Sequence, residues 1–470
     1  MNTPVRAGSW KHSWAPYVPS SGAPWDVRRV VHLHRRAGFA ATRKEVDRDR
    51  KEGPAAAVDR LLNGTARVEG VPEDFERRAA ILGSAAVSSG VSERLQAWWM
   101  FRCLFTPDPL TERLTLMWHN HFATSHAKVS SLAMMHSQNE TLRRHGRGPF
   151  RELLAAMLRD PALLVWLDAP ANRAGRPNEN LARELMELFT LGIGHYSEAD
   201  VREAARALTG WTARRGRFLE DARHHDIGEK SILGQRGSFG TQDLMGLLLE
   251  HPATARRLVW RVTGELMGTA DTDPEALEDL ADGLRAHDLD IGWLVETVLR
   301  SRRFFAATNI GARVTGPVEF LIGSVRAVQG FDPPPRTFLL AEWAKRMGQE
   351  VFHPPNVGGW SGGADWLTSR HVVARSNFAA ALLSGKVTAR DGQAPGLLDQ
   401  ARQSGCGESL KEVLLHFEQL LLLRTLDPET RDRILRLARK RENESVEPLL
   451  EDQVRRAVTL LLSIPEGQLA

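Results

Sequence analysis

The sequence predicts an all-α protein, a large multi-helix bundle with irregular Pro/Gly-rich loops and a smaller C-terminal helical unit. Apolar residues recur at the spacing of amphipathic helices along most of the 470 residues. Short runs of β-branched residues with a period of two, which indicate strands, are nearly absent. Only residues 217–233 have the pattern of a loop or small hairpin excursion.

Residues 1–26 are predicted to form an irregular arm, because this segment contains four prolines and three tryptophans. The main helical domain is predicted over residues 27–385. Prolines at first helical positions and glycines beyond last ones mark helix boundaries in it. Helices are expected over residues 55–62, 74–82, 92–105, 137–146, 149–159, 178–191, 198–211, 241–249, 252–267, 274–287, 291–300, 317–329 and 337–347.

The last part of the chain changes character after Phe352. Residues 353–366 are rich in proline and glycine, and helical spacing then resumes. Residues 386–407 are small and polar, and they are predicted to form a linker. Residues 408–470 are rich in leucine, with Glu–Arg pairs at helical spacing, so this segment is predicted to form the C-terminal helical unit.

The composition excludes several classes of protein. The chain has 62 basic and 58 acidic side chains, a formal net charge of +4, and no long block of like charge. General nucleic-acid binding needs a larger basic footprint, so no nucleic-acid partner is predicted. With two cysteines only, Cys103 and Cys406, a disulfide scaffold is excluded and a zinc–thiolate site is disfavoured.

The amino terminus lacks the continuous apolar region of a signal peptide. No uninterrupted apolar run approaches the roughly 20 residues of a membrane-spanning helix. The expectation is a cytoplasmic protein without a membrane span, or an exported one if the true start of the chain lies upstream.

The segment 118–122 is the first that could carry chemistry. It places His119 and His121 two residues apart at the end of a predicted helix. Such residues point about 200° apart on a helix, so both imidazoles reach one ion only if the helix ends here. His121 continues an apolar stripe with Met117, so it is expected to be buried. A core histidine bonded to a carbonyl, a metal ligand and an acid–base group are the alternatives.

The segment 177–189 carries the second constellation. On a regular helix, Asn180, Glu184 and Glu187 fall within about 60° of one another. Arg183 is spaced to reach glutamates one turn away on either side. This polar ridge suits an oxygen-rich metal site or an acid–base pair, and it equally suits a solvated, salt-bridged face.

A glycine turn follows the second constellation. Ser197 and Asp200 then have the spacing of a capping box, with Asp in place of Glu, so Asp200 has an alternative role as a helix cap. Tyr196 is one of only two tyrosines. The Tyr196 hydroxyl could face the same cleft as the carboxylates of Glu184 and Glu187.

Residues 224–226 form a His-His-Asp run in the irregular excursion, with Lys230 close behind. Outside regular structure, His225 and Asp226 can fold back onto one point, and loops on a rigid scaffold often carry function. Contact with a ligand or substrate and an exposed polar loop are the alternatives. No HExxH, P-loop, GxSxG or GxGxxG motif is present.

These same stretches resemble the bacterial family known as domain of unknown function 1800. The resemblance covers residues 14 to about 378, and Ser361 departs from it because such proteins often carry proline there. It is carried by HLHRRAGFAAT (32–42), LTLMWHNHFATS (114–125), PNENLARELMELFTLGIGHYSEADVREAARALTGW (177–211), HDIGEK (225–230), PVEFLIGSV (317–325) and MGQEVFHPPNVGGWSGGADWLT (347–368).

The resemblance implies an all-helical bacterial protein and brings no established activity. Such proteins are often encoded beside a partner that resembles sulfatases and alkaline phosphatases, and many of these proteins bear export signals. The resemblance therefore implies joint action with a sulfatase-like partner, in the metabolism of the envelope or of secreted material.

The leading hypothesis is a metal-dependent hydrolase or oxidase with a His/Glu site in the helical bundle. Imidazole and carboxylate ligands on facing helices are the usual way in which a bundle binds a metal that activates water or oxygen. The predicted cofactor is a divalent metal, iron, manganese or zinc. The predicted metal ligands are His119, His121, Glu184 and Glu187. The predicted catalytic residues are Glu184, His225 and Asp226, and the predicted substrate-binding residues are Asn180, Arg183, Tyr196 and Lys230.

The alternative is a non-catalytic interaction or assembly protein that acts with the sulfatase-like partner. The polar ridges are then salt-bridged surfaces, and Trp360 is a docking element. A third hypothesis is metal-free carbohydrate chemistry, with Glu179 and Glu184 as acid and base. The separation of these two residues around the helix disfavours it. The sequence leaves open whether the chain is an enzyme.

Overall fold

A computed structural model describes residues 13–67, 71–268, 273–331, 333–388, 394–439 and 450–470. Within these residues the chain is 62% helical, with 23 α-helices and two small antiparallel sheets. The predicted all-α fold is therefore confirmed. No helix in these ranges is long and apolar enough to cross a membrane.

The first third of the chain forms ten α-helices behind an irregular segment. Trp14 in that segment is buried, and its indole N–H donates to the carbonyl of Ala276 at 2.8 Å. Residues 1–12 of the predicted arm lie outside the described residues. The helices are α1 (Val27–Ala37), α2 (Arg43–Glu52), α3 (Pro54–Leu62), α4 (Phe75–Ser88), α5 (Ser92–Phe105), α6 (Pro109–His121), α7 (His126–Val129), α8 (Leu132–His145), α9 (Phe150–Leu158) and α10 (Pro161–Trp166).

The middle of the chain contains the four strands. The helices before them are α11 (Asn180–Glu184), a π-helix (Leu185–Thr190) and α12 (Glu198–Ala207). The strands are β1 (Trp211–Arg214), β2 (Arg217–Glu220), β3 (Lys230–Ile232) and β4 (Gln235–Gly237). The helices after them are α13 (Thr241–Glu250), α14 (Pro252–Leu266), α15 (Pro274–Ala286) and α16 (Ile291–Arg300).

The remaining helices follow an irregular segment after α16. They are α17 (Pro317–Val328), α18 (Thr337–Arg346), α19 (Ser369–Leu383), α20 (Leu397–Gln403), α21 (Leu410–Leu421), α22 (Pro428–Ala438) and α23 (Glu451–Ser463). A short 3₁₀ helix, Gly363–Leu367, lies in the Pro/Gly-rich segment before α19.

Aspartate followed by proline starts four of the helices, α6, α10, α15 and α22. In each case the carboxylate accepts a hydrogen bond from an amide of the first turn, where helical partners are lacking. The proline that follows has no N–H to satisfy and its φ is already that of a helix. The capping residues are Asp108, Asp160, Asp273 and Asp427.

Two large hydrophobic cores hold the helices together. The first includes Trp118 and Leu258. The second includes Phe320 of α17 and also Phe417 and Leu461 of the predicted C-terminal unit. The described helices of that unit thus share a core with the main domain.

The predicted linker, 386–407, contains the short helix α20. Its Leu397 and Ala401 are fully buried in the second core. The amides of Leu397 and Leu398 also donate to the carboxylate of Glu451, at 2.8 and 2.9 Å. The small, polar composition suggested a linker, but α20 buries its few apolar residues and is packed against the body.

The helix predicted over residues 178–191 is not regular. The short helix α11 continues directly into the π-helix, where the amide of Leu191 donates to the carbonyl of Met186 at 2.9 Å. The hydroxyl of Thr190 donates to the carbonyl five residues earlier, at Leu185. A π-turn contains more residues than an α-turn, so angles calculated for a regular helix do not apply beyond Glu184.

The excursion predicted as a loop or small hairpin is confirmed as part of two hairpins. Strand β1 pairs with β2, with Trp211 opposite Glu220. Strand β3 pairs with β4, with Lys230 opposite Gly237. The segment with the two histidines lies between these hairpins.

A buried carboxylate connects three helices near the second core. Glu112 of α6 accepts hydrogen bonds from Arg102 of α5 at 2.8 Å and from Arg143 of α8 at 2.7 Å. Trp99 donates to its other oxygen at 3.1 Å. Burial alone would raise the pKa of Glu112, but the two arginines outweigh it and lower the pKa to about 2.

We predict that Glu112→Gln lowers the free energy of unfolding by roughly 3 kcal/mol at pH 7, because Arg102 and Arg143 each lose their buried carboxylate partner and keep only the more exposed Glu76 and Glu140. The folded pKa lies below the usual value, so this contribution is complete above about pH 4.5 and is lost as the pH falls towards 2. Urea unfolding at several pH values measures it. The exposed Glu296→Gln, which removes one carboxylate partner of Arg300 and leaves Asp59 as the other, is the control and should cost under about 0.5 kcal/mol. An equal loss in both variants would contradict the assignment.

Candidate functional site

His119 fixes the Pro/Gly-rich segment to the end of α6. The side chain is buried, and its Nε2 accepts a hydrogen bond from the amide of Phe352 at 3.1 Å. The ring packs edge-on against Trp99, with centroids 5.2 Å apart. Burial, and to a smaller extent His353, lowers the pKa of His119 to about 3. His119 is therefore a neutral acceptor whose Nε2 lone pair already has a donor.

Asn120 holds the same segment eight residues further along. Its Oδ1 accepts from the amide of Trp360 at 2.7 Å, and its Nδ2 donates to the carbonyl of that residue at 3.2 Å. The preceding Gly359 has a φ of +77°, and a Cβ there would lie 2.1 Å from Asn120 Oδ1. The close approach of the two segments therefore requires glycine at this position.

His121 points to a third segment. It is buried, and its Nε2 donates to the carbonyl of Phe189 in the π-helix at 3.2 Å. Burial, with Arg261 and Arg257 nearby, holds the pKa of His121 well below its usual range. The helix does end at His121, yet the two imidazoles of this segment bind different parts of the chain.

Glu184, Glu187 and Tyr196 form one small polar cluster. The hydroxyl of Tyr196 donates to Glu187 at 2.9 Å. Burial, followed by the neighbouring charge of Glu187, raises the pKa of Glu184 above its ordinary value. The Tyr196 hydroxyl thus lies on the carboxylate of Glu187, and that carboxylate lies close enough to Glu184 to affect its pKa.

The neighbouring polar residues of α11 pair with the protein itself. Arg183 binds both carboxylate oxygens of Glu198, at 2.8 and 2.9 Å, and also Glu179 at 3.0 Å. Asn180 donates from Nδ2 to Asp168 at 3.0 Å. These contacts correspond to the alternative of a salt-bridged face.

The His-His-Asp run is fixed to the end of α12. His225 donates from Nδ1 to the carbonyl of Thr209 at 2.8 Å. Asp226 forms a two-pronged ion pair with Arg206, at 2.8 and 3.1 Å. Lys230 is buried, and its Nζ donates to the carbonyls of Asp226 and Gly228 at 2.6 and 2.9 Å. These polar groups stabilise a loop conformation.

The predicted metal ligands are not assembled into one centre. In the described ranges of the chain, no group of three or more His, Cys, Asp or Glu side chains is placed to hold a metal ion. His119 contacts the Phe352 segment, His121 contacts Phe189, and Glu187 binds Tyr196. Metal binding and the reactions that depend on it stay predictions.

A cleft of about 340 Å³ lies between α6, α14, the start of α17 and the glycine-rich segment around Trp360. We call it the tryptophan cleft, because three tryptophans line it. Among its lining residues are Trp260, Trp360, Trp366, Asn120, Arg261, Glu265, Arg313, Glu319 and Gln349. Trp260 is half exposed, whereas Trp360 and Trp366 of the glycine-rich segment are buried.

Buried ion pairs form one wall of the tryptophan cleft. Arg113 of α6 lies 2.7 Å from Glu265 and 2.8 Å from Glu319. Arg313 binds both oxygens of Glu319, at 2.6 and 2.9 Å, and approaches Glu265 at 3.3 Å. Burial would raise the pKa of Glu319, but the two arginines hold it well below its usual range. Glu319 therefore stays ionised.

Arg261 is the third guanidinium at the cleft. Its Nη2 donates to the carbonyl of Met117 at 3.0 Å. Its Nε is buried and has no hydrogen-bond partner among the described residues. One turn earlier on α14, Arg257 lies over the ring of Trp260, 4.5 Å from the centroid. Arginine and tryptophan side chains thus alternate along the exposed edge of α14.

A family model described as a protein of unknown function, DUF1800, matches residues 32–469. The chain belongs to this family. No curated protein and no solved structure matches the chain. The match extends through the C-terminal helices, beyond the region from which the sequence suggested the relationship.

Sequence reasoning missed most of the cleft of this DUF1800 protein. Glu319, Gln349 and Trp366 lie in two of the stretches that carry the family resemblance, which was the signal available. Trp260 and Arg261 lie in a helix that was predicted correctly but offered no chemical motif. Trp360, the docking element of the alternative hypothesis, is buried, and its ring centroid lies 5.7 Å from that of His119. Docking through Trp360 stays a prediction.

We predict that His119→Gln makes the stability of this DUF1800 protein less sensitive to acid. Gln keeps an acceptor for the Phe352 amide but cannot bind a proton. In the wild type the unfolded state binds a proton near pH 6.5 and the folded state only near pH 3, so stability falls as the pH drops through this window. Between pH 6.5 and 4 the wild type should lose roughly 3 kcal/mol relative to the variant.

Urea unfolding of both proteins at pH 6.5, 5 and 4 measures the difference in unfolding free energy. Exposed His195→Gln is the control for the replacement of a histidine by glutamine at the surface. A constant difference between the wild type and His119→Gln over this range would show that His119 titrates normally.

We predict that Asn120→Ala loosens the glycine-rich segment without unfolding the protein. The amide of Trp360 loses its acceptor, so its hydrogen exchange should accelerate roughly tenfold. Mass spectrometry of a peptide that covers residues 358–366 measures this. The matched control is Asn356→Ala, which removes the acceptor of the Gly358 amide in the exposed part of the segment. Unchanged exchange at Trp360 would rule out the anchoring role of Asn120.

Proposed function

We propose that this DUF1800 protein binds a saccharide in the tryptophan cleft. The observation that carries the proposal is the combination of three tryptophans with buried polar groups around one cavity of about 340 Å³. Ligand sites of this size are mostly apolar, with a few fixed polar groups that orient the ligand. A pyranose ring suits such a site, because its C–H face stacks on an indole and its hydroxyls bind polar groups.

The positions of the polar groups support the proposal. Arg113 and Arg313 fix the carboxylate of Glu319, so its orientation does not depend on a ligand. Asn120 fixes Trp360 through its peptide group. A site whose groups are held in advance loses little conformational entropy when a ligand binds.

Binding is supported better than cleavage of a glycosidic bond. A glycosidase needs a carboxylic acid with a raised pKa to protonate the leaving group. The pKa of Glu319 is instead held low by Arg113 and Arg313. The proposal is therefore a carbohydrate-binding role, in which the ionised carboxylate of Glu319 accepts hydrogen bonds from sugar hydroxyls.

We predict that Trp260→Ala weakens saccharide binding roughly tenfold, because the exposed stacking surface is lost. The wild type is first screened by saturation-transfer NMR against neutral hexoses, N-acetylhexosamines, hexuronic acids and their disaccharides. Dissociation constants of the ligands found are then measured by calorimetry for the wild type and the variant.

Trp343→Ala is the matched control. Trp343 also lies on a helix with an arginine over its ring, Arg346 at 4.8 Å, but it does not line the cleft. It should bind saccharide as the wild type does. The proposal fails if no saccharide of the panel binds the wild type, or if the two tryptophan variants bind equally well.

A further inference from the structure

The charges at the tryptophan cleft are unbalanced. Arg261 and Arg313 line the cleft and Arg113 lies directly behind it. Among the described residues these three face two carboxylates, those of Glu265 and Glu319, which leaves one positive charge in excess there. Buried charges are normally paired, since an unpaired one is costly to remove from water. The excess charge is a feature that a neutral ligand would not use.

Two further arginines enlarge this excess behind Glu319. Arg36 is fully buried, interacts electrostatically with Glu319 and donates only to the neutral carbonyls of Met267 and Asn309 at 3.2 Å. Its Nε and Nη1 have no hydrogen-bond partner among the described residues. Arg375, also buried, donates to the carbonyl of Thr315 at 2.7 Å and to a neutral glutamine side chain.

Arg261 is the guanidinium best placed to meet a ligand. It lines the cleft, whereas Arg113 lies behind it and is occupied by Glu265 and Glu319. Among the described residues, Arg261 makes one hydrogen bond to the protein, from Nη2 to the carbonyl of Met117. A guanidinium has five N–H donors in a planar fork that matches a carboxylate or a sulfate. The Nε–H of Arg261 is buried, and no described residue supplies an acceptor for it.

We infer that the ligand of the tryptophan cleft is an acidic saccharide, a pyranose that carries a carboxylate or a sulfate, and that Arg261 binds its anionic group. This inference rests on the proposed saccharide-binding function. The stacking surface of Trp260 lies next to Arg261 on α14, so the sugar ring and its charged substituent would meet neighbouring side chains. Glu265 and Glu319, held by Arg113 and Arg313, would accept hydrogen bonds from the hydroxyls.

The alternatives fit the same groups less well. A cationic ligand in an aromatic cage would meet an excess of arginine. A free inorganic anion would use the guanidinium but not the three tryptophans that line the cavity. The acidic saccharide uses both features.

The test compares matched pairs of sugars on the full chain: glucose with glucuronate, galactose with galacturonate, and N-acetylglucosamine with its 6-sulfate. Calorimetry at low and moderate salt measures the dissociation constants. For at least one pair we expect the charged sugar to bind tenfold or more tightly than its neutral partner, with a preference that falls as salt rises. The uronates and the sulfated sugar distinguish a carboxylate from a sulfate.

Variants of the protein test whether Arg261 causes the preference for the charged sugar. Arg261→Gln should remove most of the preference for the charged sugar while neutral-sugar binding changes little, and Arg261→Lys should keep part of it. Arg256→Gln, on the same helix but paired with Glu278 outside the cleft, is the control and should bind as the wild type does. Thermal unfolding of each variant shows whether it is folded.

The outcomes separate this inference from the proposed function. Equal binding of charged and neutral sugars by the wild type overturns the acidic ligand and leaves saccharide binding in place. Binding of sulfate or acetate alone as tightly as the charged sugar overturns it too, because the ring then contributes nothing. If no sugar binds at all, the proposed function fails as well. If Arg261→Gln does not fold, the comparison of charged and neutral sugars on the wild type still tests whether the ligand is acidic.

Discussion

Buried polar groups need hydrogen-bond partners, and the rest of the structure depends on how the last turn of α6 supplies them. Three successive side chains there each satisfy a backbone group of a distant segment. His119 accepts from the amide of Phe352, Asn120 pairs with the peptide of Trp360, and His121 donates to a carbonyl of the π-helix. A buried amide or carbonyl without a partner costs about 1–3 kcal/mol, so these contacts select one arrangement of the three segments.

The same helix sets the electrostatics of the candidate site. Arg113, six residues before His119, lies between the carboxylates of Glu265 on α14 and Glu319 on α17. Breaking such a buried pair on one side would leave an uncompensated charge. The ion pairs therefore join three helices at one wall of the tryptophan cleft, and the glycine-rich segment held by Asn120 forms another. Helix α6 thus carries residues that hold two walls of the cleft, Arg113 and Asn120, beside the histidines that fix distant segments of the fold.

Sequence reasoning about the site came nearest to the structure where the contacts are local. Glu184, Glu187 and Tyr196 lie within one stretch of chain and are close together, although the π-helix changes the helical angles from which their positions were argued. Spacing could not say which partners Asp226 and Lys230 have, because these depend on how α12 and the hairpins pack. Residue types that suit metal binding also suit internal ion pairs and hydrogen bonds. Their density in a sequence therefore does not distinguish the two uses.

The sequence by itself determined the helical class, the capped starts of many helices, the irregular excursion that became hairpins and the family of the chain, because these depend on neighbours within a few residues. Only the tertiary structure decided the π-helix after Glu184, the packing of α20 into the second core and the tryptophan cleft. The residues of the cleft come from segments that are far apart in the chain. No local sequence pattern predicts that Trp260, Glu319 and Trp360 line the same cleft, because they come together only when the helices are buried against one another.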